Sequence, residues 1–117
     1  MVSPDLIRRC YDQAMEKGSA IPTVKATDSI RLVEDHTHRA VERNMVHLVQ
    51  TPQTFRSSIL LPAFGQPYDP MFTDDATVVE AHGGNVHLID GEHNNIKITR
   101  PIDLVIAEQI LQGNVIA

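Results

Sequence analysis

The chain has 117 residues, of which 42% are hydrophobic and 21% are charged, as is usual for one globular domain. A net charge of −5 argues against nucleic acid or an anionic membrane as a partner. One cysteine excludes an internal disulfide, and no segment resembles a membrane span or a signal peptide, so a cytoplasmic location is expected.

A helix is predicted at the start of the chain. A capping serine, a proline and an acid mark its first turn at residues 3–5, and Gly18 provides the stop. Apolar residues recur at helical spacing: Ile7, Cys10, Tyr11 and Ala14. On this face Cys10 is expected to be a buried structural thiol rather than a nucleophile.

A short strand and an extended excursion are predicted next. Residues 20–25 form the strand, in which Pro22 favours an edge position or a bend. Two apolar segments, 29–33 and 40–49, are separated by the polar residues 34–38, a pattern typical of a hairpin-like excursion. We call this excursion the arm.

Helices and short apolar strands alternate through the rest of the chain. The predicted helices are 55–64, limited by Pro62, then 73–83 and 101–113; the predicted strands are 86–89 and 96–99. This alternation predicts an α/β fold with a largely parallel sheet. Outside the arm the sheet has only about three strands, so a partner or a further segment is expected to cover its edge.

Most of the polar residues do not form a recognisable catalytic or metal site. There is no glycine-rich phosphate loop, nucleophile elbow or Cys-x-x-Cys pair. His36 and His38 lack obvious further ligands, and helix capping accounts for Asp74 and Asp75, so no metal ligands are predicted. Three other histidines share no ligand spacing and are interpreted as surface or half-buried side chains: His82, His87 and His93.

Lys97 is the residue that suggests a ligand site. In a strand, alternation would send its side chain opposite to those of Ile96 and Ile98. A lysine at the end of a parallel strand, just before a helix, lies where ligands of open α/β sheets bind. A solvated strand lysine remains the alternative on these grounds.

Three segments in order carry a family resemblance: Gln50-Thr51-Pro52-Gln53-x-Phe55, Thr73-Asp74-Asp75-Ala76 and Asn95-Ile96-Lys97-Ile98-Thr99-Arg100-Pro101-x-Asp103-Leu104. With them the chain resembles the 2-C-methyl-D-erythritol 4-phosphate cytidylyltransferases of the non-mevalonate isoprenoid pathway. The resemblance implies that residues 1–117 are the C-terminal portion of a doubly wound, largely parallel nucleotidyltransferase domain. Residues 20–50 would then comprise a β-arm for dimerisation with its flanking strands.

The resemblance also implies a reaction and a set of site residues. The family joins CTP to the phosphate of 2-C-methyl-D-erythritol 4-phosphate and releases pyrophosphate, with Mg²⁺ neutralising the triphosphate. By resemblance Lys97 and Arg43 position the substrate phosphate, while Ser29, Thr51 and Thr73 line the substrate pocket. Arg43 would reach into the neighbouring subunit of a homodimer.

The family's N-terminal half, which would bind CTP and provide most of the magnesium ligands, has no counterpart in this sequence. The isolated chain is therefore expected to be inactive, and active only together with such a half. Ser29 replaces the usual threonine and Arg31 the usual lysine, which retains the hydroxyl and the charge. Val46-His47 replaces a common leucine-tryptophan pair, so the packing under the arm is expected to differ from that of the family.

Two other functions remain open. A pentitol phosphate cytidylyltransferase would share the Thr51-Pro52-Gln53 region. A non-catalytic dimerisation module would use the arm alone, and its basic residues would be surface charge. For Arg43 the corresponding interpretation is an exposed salt bridge with Glu42 or Asp35.

Overall fold

The computed structural model describes residues 1–113. The helices are α1 (Pro4–Lys17), α2 (Ser57–Ala63), α3 (Asp75–Ala81) and α4 (Pro101–Leu111), with a 3-10 helix at Arg43–Met45. The strands are β1 (Ser19–Lys25), β2 (Ile30–Glu34), β3 (Thr37–Val41), β4 (His47–Val49), β5 (Thr54–Phe55) and β6 (Leu88–Asp90). None of the helices in the described range is long and apolar enough to cross a membrane.

Helix α1 begins and ends where the sequence predicts. The Ser3 hydroxyl accepts a hydrogen bond from the amide of Leu6, and Gly18 adopts a φ of 99° as the C-cap. The buried face carries Leu6, Cys10 and Ala14, whereas the predicted core residues Ile7 and Tyr11 are exposed. The predicted burial of Cys10 is confirmed, and the predicted apolar face is rotated slightly around the helix.

Strand β1 is the centre of the main sheet. It pairs with β6 in parallel, and with β4 and β5 in antiparallel orientation on its other side. The α/β class is confirmed. Among the described strands, however, only the β1–β6 pair in this sheet is parallel, because the chain that returns from the arm meets β1 in the opposite direction.

The predicted edge position of Pro22 is wrong, since this proline lies inside the central strand. Its carbonyl accepts a hydrogen bond of 2.8 Å from the amide of Gln50. Residues 19–20 pair with β5 and residues 23–25 with β4, so Pro22 lies between the two ladders. A missing amide is tolerated there because no ladder hydrogen bond requires it.

The arm is a two-stranded hairpin of β2 and β3, with a turn at Asp35-His36 in which Asp35 has a φ of 49°. Its side chains are largely exposed. The apolar segment 40–49, predicted as the returning part of the arm, is divided between three elements. β3 ends at Val41, the 3-10 helix follows, and β4 belongs to the main sheet.

Two small apolar clusters hold the helices on the sheet. Leu6 and Cys10 of α1 pack with Ala20 of β1 and the half-buried Ile89. The second cluster joins α2 and α3 and consists of Ala63, Val78 and Val79 with Phe55, Ile59, Leu60, Phe72 and Val86. Phe55 thus lies in β5 and not in the predicted helix, which begins at Ser57.

Candidate functional site

An open cleft of about 700 Å³ lies where the chain leaves β4 and β6. Segments from the sheet, from the loop after β4, from the start of α3 and from the loop after β6 line it. The lining residues are Val24, Leu48, Val49, Gln50, Thr51, Gln53, Thr73, Asp74, His93, Asn95, Ile96 and Lys97. The site therefore combines residues far apart in the sequence.

The first wall is the segment that contains Thr51, which is joined to Pro52 by a cis peptide bond. This wall is tied to α3 by the side chain of Gln53. Its Oε1 accepts a hydrogen bond of 3.0 Å from the amide of Ala76, and its Nε2 donates one of 3.1 Å to Oδ2 of Asp74. Gln53 therefore fixes Thr51 relative to the start of α3.

The start of α3 forms the second part of the cleft. Asp74, rather than the predicted Thr73, is the N-cap, because its Oδ1 accepts a 2.9 Å hydrogen bond from the amide of Thr77. The amide of Thr73 donates to the Thr77 hydroxyl at 3.1 Å. Thr73 thus lies one residue before the cap and lines the cleft.

Lys97 lies in the opposite wall, on the loop between β6 and α4. The predicted strand at residues 96–99 is not present, because β6 ends at Asp90 and the following loop does not pair with β1. Lys97 is exposed, and no carboxylate of the described residues lies within 4.0 Å of its ammonium. Its charge is therefore available to an anion in the cleft.

The far end of this loop is fixed by Asp103 at the start of α4. Its Oδ2 accepts hydrogen bonds from the amides of Thr99 at 2.9 Å and Arg100 at 2.8 Å. The backbone hydrogen bonds from Arg100 and then Thr99 hold the pKa of the Asp103 carboxyl below its usual value.

Arg43 and Ser29 lie elsewhere, in a separate cavity of about 350 Å³ at the base of the arm. Nη1 of Arg43 donates a 3.0 Å hydrogen bond to the carbonyl of Thr27. The alternative salt bridge with Glu42 or Asp35 is not formed in the part of the chain that the structure covers. One chain therefore brings together Lys97, Thr51 and Thr73, but not the other two predicted site residues.

No group of three or more His, Cys, Asp or Glu among residues 1–113 could hold a metal ion. Asp74 is engaged in capping, and in the arm His38 accepts a 2.8 Å hydrogen bond from Nε of Arg31. Residues 1–113 thus do not form a magnesium site of their own.

Four polar residues that line the cleft were given no role from the sequence: Gln50, Gln53, His93 and Asn95. Gln50, Gln53 and Asn95 lie within the segments that carry the family resemblance, and this was the signal that could have identified them. His93 was interpreted as an ordinary imidazole, and nothing in the spacing of the histidines connects it with Lys97.

Solved structures similar to this chain include two cytidylyltransferases. The 2-C-methyl-D-erythritol 4-phosphate cytidylyltransferase of Thermus thermophilus matches with a TM-score of 0.81 and 35% identity, over 96% of this chain and 57% of that one. The Francisella tularensis enzyme of the same name matches with a TM-score of 0.77 and 31% identity, over 92% and 52% of the two chains.

Sequence relatives agree with these structures. The 2-C-methyl-D-erythritol 4-phosphate cytidylyltransferase of Bacteroides thetaiotaomicron is 46% identical over 94% of this chain and 50% of its own length. The Porphyromonas gingivalis protein of the same name is 45% identical over 95% of this chain and 50% of its own length. The family model for 2-C-methyl-D-erythritol 4-phosphate cytidylyltransferase matches residues 1–113, and the chain belongs to this family. It spans about half the length of these curated relatives.

Proposed function

We propose that this chain supplies the substrate-phosphate half of a transferase that moves CMP from CTP to 2-C-methyl-D-erythritol 4-phosphate. One observation carries the proposal: Thr51, Thr73 and Lys97 line the same open cleft. Family membership supports the identity of the substrates.

The chemistry requires a fixed cation. A phosphate oxygen of the substrate attacks the α-phosphorus of CTP, the bond from that phosphorus to the bridging oxygen breaks, and pyrophosphate leaves. Both reactants are anions, so a positive charge held near the attacking phosphate reduces their repulsion and stabilises the transition state. Lys97 supplies a compact point charge, and the hydroxyls of Thr51 and Thr73 can donate hydrogen bonds to phosphate or polyol oxygens.

Arg43 completes the site from a second copy of the chain. In one chain it lies in the arm cavity with Ser29 and not in the cleft. The exposed hairpin beside it has room to contact a neighbouring chain. In the homodimer proposed here, the arm carries Arg43 to the cleft of the partner subunit, where its planar guanidinium binds the substrate phosphate through two hydrogen bonds.

CTP and magnesium are assigned to a complementary N-terminal half of the family fold. When bound, magnesium would neutralise part of the triphosphate charge. This chain alone is expected to show no turnover, because the described residues contain neither a metal cluster nor a phosphate-cradling glycine loop. The cytoplasmic location remains a prediction.

Reconstitution tests the proposal. The chain is mixed with the N-terminal half of the Bacteroides thetaiotaomicron relative, and pyrophosphate release is measured with CTP, Mg²⁺ and 2-C-methyl-D-erythritol 4-phosphate. Turnover is expected from the mixture and not from either half. Lys97→Ala should lower kcat/KM by about 10²- to 10³-fold, the usual effect of removing one preorganised transition-state contact.

Lys17→Ala is the matched control, because Lys17 is an exposed lysine of α1 outside the cleft. It should leave kcat/KM unchanged. Ribitol 5-phosphate is the control substrate for pentitol phosphate specificity. Faster turnover of ribitol 5-phosphate would refute the assigned substrate, and full activity of Lys97→Ala would favour a dimerisation module with surface charge.

A further inference from the structure

The loop that carries Lys97 lies outside any β-ladder. Its last hydrogen bond to the sheet runs from the amide of Gly91 to the carbonyl of Thr23, at 2.8 Å. From Glu92 onward the backbone no longer pairs with β1. Other contacts must hold the loop in place for Lys97 to keep one position beside Thr51.

The side-chain amide of Gln50 provides the first of these contacts. Its Nε2 donates a 2.7 Å hydrogen bond to the carbonyl of Glu92, and its Oε1 accepts one of 3.1 Å from the Glu92 amide. Both backbone groups of one loop residue are thus satisfied by a single side chain. The approach requires Gly91, because a Cβ at that position would collide with Oε1 of Gln50.

Asn95 provides the second contact, two residues before Lys97. Its Nδ2 donates a 2.6 Å hydrogen bond to the carbonyl of Thr51, and its backbone amide donates one of 3.0 Å to the carbonyl of Glu92. Asn95 therefore joins the two walls of the cleft directly. Of Gln50 and Asn95, Asn95 is the nearer to Lys97 in the sequence, and it is the one that binds the Thr51 carbonyl.

We propose that Gln50 and Asn95 are positioning residues that set the backbone of Lys97 relative to Thr51. This inference rests on the proposed function for the identity of the ligand. Its mechanical part, that the two side chains hold the loop in place, concerns the ligand-free chain. A lysine side chain is long and flexible, so the location of its ammonium depends on how well its Cα is fixed. The two amides fix that Cα before a phosphate arrives, which reduces the ordering that binding requires.

Backbone ¹⁵N relaxation of the ligand-free chain tests the mechanical part. In the wild type, the order parameter of the Lys97 amide should be close to the rigid value of about 0.85, and Asn95→Ala should lower it toward about 0.6. Gln50→Glu should act in the same direction, because a carboxylate can accept from the Glu92 amide but cannot donate to its carbonyl.

Asn94→Ala is the matched control, since Asn94 is the exposed neighbour of Asn95 and does not line this cleft. It should leave the Lys97 order parameter unchanged. Unaltered amide shifts in β1 and β6 would show that each variant keeps its fold. An unchanged order parameter at Lys97 in a folded Asn95→Ala chain would overturn the proposal.

A double-mutant cycle tests the functional part. Affinity of the reconstituted protein for 2-C-methyl-D-erythritol 4-phosphate is measured for the wild type, Asn95→Ala, Lys97→Ala and the double variant. Asn95→Ala alone should weaken binding several-fold, and in the Lys97→Ala background it should cost no more than a small fraction of that loss.

Additive losses would overturn the inference that Asn95 acts through Lys97. Equal affinity of the wild type and Lys97→Ala would instead refute the proposed role of Lys97 itself. The relaxation measurement still decides in that case whether Gln50 and Asn95 fix the loop, so the two failures are distinguishable.

Discussion

The carboxylate of Glu92 accepts two hydrogen bonds from Ser3, one of 3.1 Å from the backbone amide and one of 2.6 Å from the hydroxyl. The same hydroxyl accepts a 3.1 Å hydrogen bond from the amide of Leu6 and caps α1. The start of the first helix is thereby attached to the loop that carries Lys97.

Glu92→Ala should destabilise the chain by about 1–3 kcal/mol, because it removes two hydrogen bonds to a charged acceptor and leaves the Ser3 donors without it. Urea unfolding followed by circular dichroism measures the loss. Glu80→Ala, on the exposed face of α3, should change stability by less than about 0.5 kcal/mol. Equal stability of the two variants would contradict this account.

Gly18→Ala should be more damaging than Gly83→Ala. Both glycines have positive φ angles, of 99° and 92°, so each substitution introduces backbone strain of about 1 kcal/mol. At Gly18 the new Cβ would also lie 2.7 Å from Cδ1 of Ile59, whereas nothing lies within 4 Å at Gly83. The difference between their urea midpoints isolates this steric clash, and identical midpoints would exclude it.

Cys10 should react slowly with iodoacetamide at pH 8 in the folded chain and rapidly in urea. It is fully buried, and this burial raises the pKa of the thiol despite the opposing effects of Arg9 and Thr54. Mass spectrometry follows the alkylation. A Cys10→Ser/Tyr11→Cys variant moves the thiol to an exposed position of the same helix and should react quickly without denaturant.

Asp103 should make the stability of α4 depend on pH in acid. Its folded pKa lies below the ordinary value of 3.8, so the unfolded chain binds the proton more readily. The stabilisation is complete above that ordinary value and is lost as the pH falls through the lower folded pKa. We therefore expect the difference in the free energy of unfolding between wild type and Asp103→Asn to shrink in acid. Urea unfolding from pH 6 to pH 2 measures this gap.

Asp12→Asn is the control for Asp103, since Asp12 is exposed on α1. A gap for Asp103→Asn that stays constant over the whole range would contradict the assignment of the lowered pKa.

Mixing two inactive variants should restore activity if sites are shared between subunits. In the reconstituted protein, random pairing of Lys97→Ala and Arg43→Ala chains makes about half of the dimers mixed, and each mixed dimer has one intact site. About a quarter of the wild-type pyrophosphate release is therefore expected. If Arg43 acts only within its own chain, the mixture should remain as inactive as the separate variants.

Local signals in the sequence were sufficient for the boundaries of α1, as the caps at Ser3 and Gly18 show, but they placed the starts of α2 and α3 too early. Two features depended on distant segments and were predicted incorrectly. Pro22 fits a central strand only because the ladder with β5 ends at residue 20 and the ladder with β4 begins at residue 23, which leaves residue 22 between them. The region around Lys97 has strand-like alternation, but pairing stops near Gly91 and side-chain amides take its place.

For the candidate site too, the sequence predicted some features and missed those that depend on distant segments. The quoted motifs contained Thr51, Thr73 and Lys97, and the structure brings these three to one cleft. Their shared location could not be derived from spacing, since it depends on the order in which β4 and β6 flank β1. Arg43 lies apart because it begins the 3-10 helix between the hairpin and β4, where it lines the cavity at the base of the arm.

The position of Pro22 has a consequence for motion during binding. The carbonyl of Pro22 receives the amide of Gln50, and the carbonyl of the next residue, Thr23, receives the amide of Gly91. The two walls of the cleft are thus attached to adjacent peptide groups on opposite sides of one strand, so a movement of Gln50 or Gly91 away from β1 would break its hydrogen bond to that strand. The part of the cleft next to β1 is therefore held to a single strand, whereas the hairpin of β2 and β3 belongs to a separate two-stranded sheet.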